Sequence, residues 1–313
     1  MTLSGGNGIL TLSLRKIGED LEKREEKPMA KSKKYFYDYD MAEEGKGPKT
    51  MIPEILADSE FPSLTELVIG DWGTSWEEGC QQMIDDIVAN KEKFSHITSL
   101  FIGDMDFEEC EVSWIIQGDY SRIYEAMPQL KSLTIKGSTE LRLGAISHEG
   151  LEELTIICGG LSEDVFKSIE QAHLPNLKKL LLYIGVEDYG FDGSIDTIRS
   201  LLANSDFPRL SYLGLTDSEL QNEVAAAVLE SKYIGQIETL DLSEGTLNDK
   251  GGEVLLAGLP GYPNVKKLDL HYHYMTEEME GKLKALPLEL DVSERNLPDE
   301  YNGELWMYPM LTE

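Results

Sequence analysis

Leu210-Ser211-Tyr212-Leu213-Gly214-Leu215 sets aliphatic residues at its first, fourth and sixth positions. The chain writes this ladder eight times: Leu64/Leu67/Ile69, Ile97/Leu100/Ile102, Leu130/Leu133/Ile135, Leu151/Leu154/Ile156, Leu177/Leu180/Leu182, Leu210/Leu213/Leu215, Ile237/Leu240/Leu242 and Val265/Leu268/Leu270. Steps between the middle residues are 33, 33, 21, 26, 33, 27 and 28, a long and uneven period. Seven residues beyond the middle one, another apolar residue recurs as Phe107, Leu161, Leu220, Leu247 and Met275, slipping to Leu141 in the third copy. The first copy has Thr74 there, and the fifth carries an insertion. The last two ladder residues, two apart, define a short strand with one buried face. Stripes with helical spacing lie between ladders: Met83/Ile84/Ile87/Val88, Val165/Ile169/Ala172, Ile195/Ile198/Leu201/Leu202, Val224/Ala225/Val228/Leu229 and Val254/Leu255/Leu259. Each unit therefore reads as a strand followed by a helix. Such a unit cannot bury its own apolar faces, so neighbours must stack into a continuous core. The prediction is an α/β solenoid with parallel strands on one face and helices on the other.

These ladders resemble leucine-rich repeats. Over residues 60–293, the length of the units and their helices resemble the ribonuclease-inhibitor-like class. The resemblance implies a horseshoe whose concave face is lined by strands and whose convex face carries helices. That class places a polar residue three positions after the third apolar one, often Asn or Cys. Here those positions hold Ser138, Gly159, Ser218, Gly245 and His273. With Asn absent there, backbone or water is expected to satisfy the loop amides. Gly118-Asp119-Tyr120, Thr134-Ile135-Lys136-Gly137 and Tyr189-Gly190-Phe191-Asp192-Gly193 resemble a bacterial group of leucine-rich-repeat proteins of unestablished molecular role. That likeness implies a cytoplasmic location and supplies no catalytic residues.

The 313 residues carry 58 acidic and 28 basic side chains, a net charge of −30. This excess suits solvated helical faces, or a basic partner, since proteins of the resembled class can present an acidic concave face. Direct nucleic-acid binding and attraction to anionic lipid are disfavoured, because both need clustered Lys and Arg. The one basic cluster is Lys31, Lys33 and Lys34. Cys80, Cys110 and Cys158 are dispersed and odd in number, which fits reduced thiols in the cytoplasm. No apolar run approaches a membrane span, and residues 1–14 lack the basic and apolar regions of a signal peptide.

Composition sets four segments. Residues 1–33, Gly-rich and then charged, read as a disordered tail, with Met29 an alternative start. Residues 34–60 read as an N-terminal cap: an edge strand over Tyr35–Asp40, a Gly/Pro loop at 45–48, and a short helix near Ile52–Ala57. Residues 61–293 hold the repeats, closed by the alternation Leu286/Leu288/Leu290/Val292. Residues 294–313, with Leu305, Trp306, Met307, Tyr308 and Met310, read as a C-terminal cap or tail.

Since strand side chains alternate, residues between and beside the ladder positions face the concave surface. The partner-binding candidates there are Phe101, Leu181, Tyr183 and Tyr212 as apolar anchors, with Glu66, Glu153, Asp241 and Asp269 to steer a basic partner. A loop rim of Asp71, Trp72, Asp104, Tyr189, Asp192 and His271 offers aromatic rings beside carboxylates, suited to a cationic group. Trp76 and Phe107 belong to the same loops. His271 and His273, two apart, invite a metal check, but His273 occupies an inward ladder position; no metal and no cofactor are expected. G-x-S-x-G, P-loop, H-E-x-x-H and kinase motifs are absent. The expectation is a non-enzymatic scaffold that holds another protein through its concave face and strand-end loops. The alternative is a small-molecule-binding or enzyme-accessory protein using the loop rim.

Overall fold

The computed structural model describes residues 31–311. Ten strands form one sheet in strict chain order: β1 (Ser32–Tyr37), β2 (Glu66–Trp72), β3 (Ser99–Ile102), β4 (Ser132–Lys136), β5 (Glu153–Ile157), β6 (Lys179–Gly185), β7 (Tyr212–Ser218), β8 (Thr239–Asp241), β9 (Lys267–Asp269) and β10 (Glu289–Asp291). Every pairing between them is parallel. The middle ladder residues stand directly opposite one another from Leu67 and Leu100 through to Leu268 and Leu290. All twenty-four ladder side chains are buried, none more than 5% exposed. A one-residue slip would turn a whole strand inside out, so the ladder itself fixes the register.

The helical stripes fold as expected over most of the chain: α3 (Gln81–Ala89), α5 (Glu163–Glu170), α6 (Ile195–Asn204), α7 (Gln221–Glu230) and α8 (Asp249–Gly258). Ahead of β2 lie α1 (Tyr39–Glu43) and α2 (Pro48–Ala57), and α9 (Glu277–Leu283) precedes β10. Two units depart from the strand–helix rule. Between β3 and β4 only one turn of helix forms, α4 (Ile123–Ala126), and the 21-residue step from β4 to β5 holds none. That stretch is tied instead by isolated parallel bridges such as Asp119 to Arg142 and Ser147 to His173. Val254, counted in the stripe of α8, faces solvent, while Leu255 carries that helix's burial.

A belt of polar side chains that the sequence reading did not anticipate lies at the entrance of the strands. The residue just before the first ladder position reaches back to carbonyls of the preceding repeat. Gln129 Nε2 donates to Phe94 O and Ile97 O, both at 2.9 Å. Gln236 Nε2 repeats this on Phe207 O and Leu210 O, at 2.9 and 3.0 Å, and Asn264 Nδ2 on Ile234 O and Ile237 O, at 2.8 and 2.7 Å. His96 Nε2 lies 2.9 Å from Phe61 O, and Asn176 Nδ2 donates to Glu149 O at 2.7 Å. At the exits, where backbone or water was expected to satisfy the loop amides, Ser218 Oγ accepts from Leu220 N and His273 Nδ1 from Met275 N, each at 3.0 Å.

Both ends differ in detail from the sequence reading. β1 begins at Ser32, two residues before the expected cap boundary, and ends at Tyr37 because Asp38 turns the chain. The Asp38 carboxylate accepts from Met41 N at 2.9 Å and caps α1. α2 starts at Pro48, earlier than expected, since proline suits the first helical turn. Of the tail assigned to residues 1–33, residues 1–30, with the alternative start at Met29, lie outside the described residues, whereas Ser32 and Lys33 belong to β1. At the far end Leu286, Leu288, Leu290 and Val292 are only partly buried, as no further repeat covers them. Residues 294–311 form an exposed antiparallel hairpin, β11 (Asp299–Tyr301) and β12 (Glu304–Trp306), and then run back across earlier repeats.

Candidate functional site

The exits of the last three repeats share one local pattern: Asp241-Leu242-Ser243, Asp269-Leu270-His271 and Asp291-Val292-Ser293. Each aspartate accepts hydrogen bonds from the residue two positions on, the usual way Asp initiates a turn. Asp241 Oδ1 takes Ser243 N and Oγ at 3.1 and 2.6 Å, and Asp291 Oδ1 takes Ser293 N and Oγ at 2.9 and 2.7 Å. Asp269 Oδ1 takes His271 N at 3.3 Å and faces His271 Nδ1 at 2.8 Å. The three aspartates are mutual partners in the sheet register, so their carboxylates stack across the strand face.

The next residue in each exit, Glu244, Tyr272 and Glu294, adopts a left-handed backbone with φ of 63°, 55° and 58°. Asp217 does the same near the end of β7, with φ 54°, whereas the equivalent Gly137 after β4 bears no such cost at φ 100°. For a residue with a Cβ this conformation costs about 1–2 kcal/mol, a strain that collects on one edge of the sheet.

That strain aims side chains at one another. Tyr183 OH donates to Glu244 Oε1 at 3.1 Å, and His271 Nε2 lies 3.2 Å from the same oxygen. His271 thus bridges Asp269 and Glu244; burial opposes its positive form, but the two carboxylates outweigh this and raise its pKa. Burial raises the Glu244 pKa, partly offset by Tyr183. Tyr212 OH donates to Asp241 Oδ2 at 2.5 Å, and Lys179 Nζ sits 4.8 Å above the Tyr212 ring. Burial first, then the facing carboxylates, hold both phenols in their neutral, donating form. Gly214 lies between Leu181 and Asp241 in register, and a Cβ there would come within 2.4 Å of Leu181 Cδ1. Leu181 and Tyr212 therefore lie close over the backbone and make a floor beside the carboxylates.

A strap closes one margin of this cluster. Met310 N donates to Glu244 O and Leu311 N to Asp217 Oδ1, each at 2.8 Å. Tyr272 OH and Tyr274 OH donate to Tyr308 O at 3.4 and 3.0 Å. Asp217 is fully buried, its other carboxylate oxygen has no partner among the described residues, and burial pushes its carboxyl up to about 8.

Of the predicted concave residues, the fold brings together Leu181, Tyr183, Tyr212, Asp241 and Asp269, with His271 from the predicted rim. Glu66 on β2 and Phe101 on β3 lie apart, four strands from β7 in Phe101's case, or roughly 19 Å at strand spacing. Glu153, exposed on β5, faces Ser132 Oγ at 3.4 Å. The predicted loop rim does not assemble. Asp71 and Trp72 belong to β2 and are buried, 6% and 0% exposed, with Trp72 Nε1 donating to Glu78 O at 2.7 Å. Strand β2 extends past the ladder, which draws the indole into the core. Asp104 pairs with Lys34 at 3.4 Å, and Asp192 accepts from Glu163 N at 2.6 Å, four strands distant from β2. Tyr189 stands half-buried in the loop after β6, the same loop as Asp192. His271 and His273 do not share a face, because left-handed Tyr272 separates them. His273 is wholly buried, accepting from Met275 N and facing Val292 O. Among the described residues no group of three His, Cys, Asp or Glu side chains is placed to hold a metal ion. Asp217 and Glu244 escaped the sequence reading. Their one sequence signal is a non-glycine residue two places after the ladder, where Gly137 stands after β4.

One strand per repeat, ladders stacked in register and helices packed behind them define a leucine-rich-repeat solenoid of the α/β type. The chain is 40% identical to a Bacteroides fragilis protein of known crystal structure, with a TM-score of 0.83 over 97% of this chain and 86% of that one. It belongs to the same family as that protein. An internalin from Listeria monocytogenes also aligns, at 15% identity and a TM-score of 0.25 over 74% of each chain, too remote to carry an argument. No protein-family model and no curated protein matches the chain. No helix among the described residues is long and apolar enough to cross a membrane.

Proposed function

We infer that the protein is a non-enzymatic scaffold whose strand face, over β6 to β9, holds a basic segment of another protein. The observation that carries this reading is the floor of Leu181, Tyr183 and Tyr212 bordered by Asp241, Glu244 and Asp269. Aromatic anchors beside oriented carboxylates give affinity from the rings and steering from the charge. Lys179 and Lys267 stand on the same strands but are engaged, one over Tyr212 and the other 3.9 Å from Asp269. The surface thus keeps a net negative character in line with the whole chain. Glu66, Phe101 and Glu153 extend the same face and would meet only a longer partner. A reduced cytoplasmic setting suits the three unpaired, buried cysteines; burial pushes the thiols of Cys80 and Cys158 up to about 12.

A photo-crosslinking residue placed at Tyr212 tests this in the source cells, with the same residue at exposed Glu253 of α8 as control. A discrete adduct to a basic protein from position 212, absent from 253, is the expected result. Equal labelling from both positions, or none from 212, overturns it. Wild-type Tyr183 must be kept, because its removal would leave Glu244 without its hydroxyl donor.

A further inference from the structure

The first and second repeats carry a feature that the strand face does not use. In the β5, β8 and β9 repeats the residue seven places after the middle ladder position is buried, as Leu161, Leu247 and Met275. In the β3 repeat Met105 fills the core instead, and Phe107 is left 75% exposed. A second ring stands nearby. Val112 and Ile115 are buried on either side of Trp114, so the short turn that joins them points the indole outward, 59% exposed. The turn Thr74-Ser75-Trp76 packs against this loop, with Ile116 N donating to Ser75 O at 2.9 Å, and it contributes Trp76, half-buried. The three rings, with Glu109, Cys110 and Glu111, line an open notch of about 340 Å³. Two large rings in water are an unfavourable arrangement unless something covers them.

Charge decides what that is. Glu109 and Glu111 form part of the wall, and Asp104, Asp106 and Glu108 belong to the same loop. Against these five carboxylates stand Lys34, 3.4 Å from Asp104 and 3.7 Å from Glu109, and Lys136, which donates to Met105 O at 2.5 Å. An anion would meet carboxylates and the negative faces of the rings; a purely apolar group would desolvate Glu109 and Glu111 for no return. A cation over the rings gains from both. The volume lies at the small end for ligand sites, and the notch is open, so it suits one side chain rather than an enclosed metabolite.

We propose that the Trp76/Phe107/Trp114 notch is a binding site for a single basic side chain, an arginine or lysine presented by a partner protein. This stands independently of the strand-face reading, since it lies on the loops of different repeats.

The test uses the full chain labelled with 5-fluorotryptophan, whose four indoles, Trp72, Trp76, Trp114 and Trp306, are assigned by single replacement. The probes are acetyl-Gly-Arg-Gly-amide and the same peptide with citrulline, which keeps the shape and loses the charge. The expected result is a saturable shift of the Trp76 and Trp114 signals with the arginine peptide, weaker by roughly two- to fivefold for each ring removed. Citrulline should bind markedly less well, and Glu109→Gln/Glu111→Gln should erase most of that difference. Phe107→Ala and Trp114→Ala remove exposed rings, and the fluorine signal of buried Trp72 reports that the fold is kept. Equal binding of the two peptides would make the notch a plain apolar contact and overturn the proposal. So would shifts that persist in Phe107→Ala/Trp114→Ala, or no shift at all with arginine.

Discussion

Asp217 combines three costs in one residue. It holds a left-handed backbone, it is fully buried, and one carboxylate oxygen is without a partner among the described residues. Only the amides of the strap, Leu311 N foremost, face its other oxygen; Glu244 from the next repeat adds a like charge, and Tyr183, Tyr272 and Cys158 surround it. The folded carboxyl is pushed up to about 8, against about 3.9 in an unfolded chain. Between these values the native state binds the extra proton, so stability falls as pH rises from about 4 to 8 and levels off above. Asp217→Asn should remove this part of the slope and raise stability at pH 8 by about 1–3 kcal/mol, the cost of an unsatisfied buried group. Urea unfolding of both proteins at pH 5 and pH 8 measures it; parallel slopes would mean that Asp217 is not the titrating group.

At the scale of the element, the entrance belt explains how turns of uneven length stay in register. The Gln129, Gln236 and Asn264 amides each grip two carbonyls of the repeat before, one of them on the first ladder residue, and Asn176 grips one. The repeats can therefore differ by a dozen residues without losing alignment where the strands begin. Gln236→Ala should leave two turn carbonyls, Phe207 O and Leu210 O, without this donor and destabilise the protein by about 1–3 kcal/mol. The loss should appear first as faster amide exchange in β7 and β8; exchange that rises evenly over the whole sheet would refute a local clamp. The belt was legible in the sequence, in Gln129, Asn176, Gln236 and Asn264 directly before the ladder, and it adds to Ser138, Ser218 and His273 at the positions where the resembled class keeps its own.

The whole molecule has no central core; each repeat packs on its neighbours, and the ladders run through it as one apolar column. Over this column lies a surface with a net charge of −30. Self-repulsion among so many carboxylates opposes the folded state and is screened by salt, with a Debye length of about 10 Å at 0.1 M. The melting temperature should therefore rise as sodium chloride is added from low ionic strength to about 0.1 M. A melting temperature that falls over that range would show that the ion pairs outweigh the repulsion.

The sequence alone determined the repeat, the strand positions and their register, because a period-two ladder allows one buried face and one alignment only. It also held the acidic excess and the aromatic residues near each candidate surface. The tertiary structure decided which of these residues meet. Met105 and Phe107 are equally apolar on paper, and only the space left by the adjoining repeats puts one in the core and the other in water. Trp72 reads as a loop residue until β2 extends through it. Asp217 meets Leu311 across 94 positions of chain, through a strap whose path no local pattern encodes. Strand and helix follow from short-range periodicity, whereas contacts between exits, turns and the chain end depend on how uneven loops close over one another.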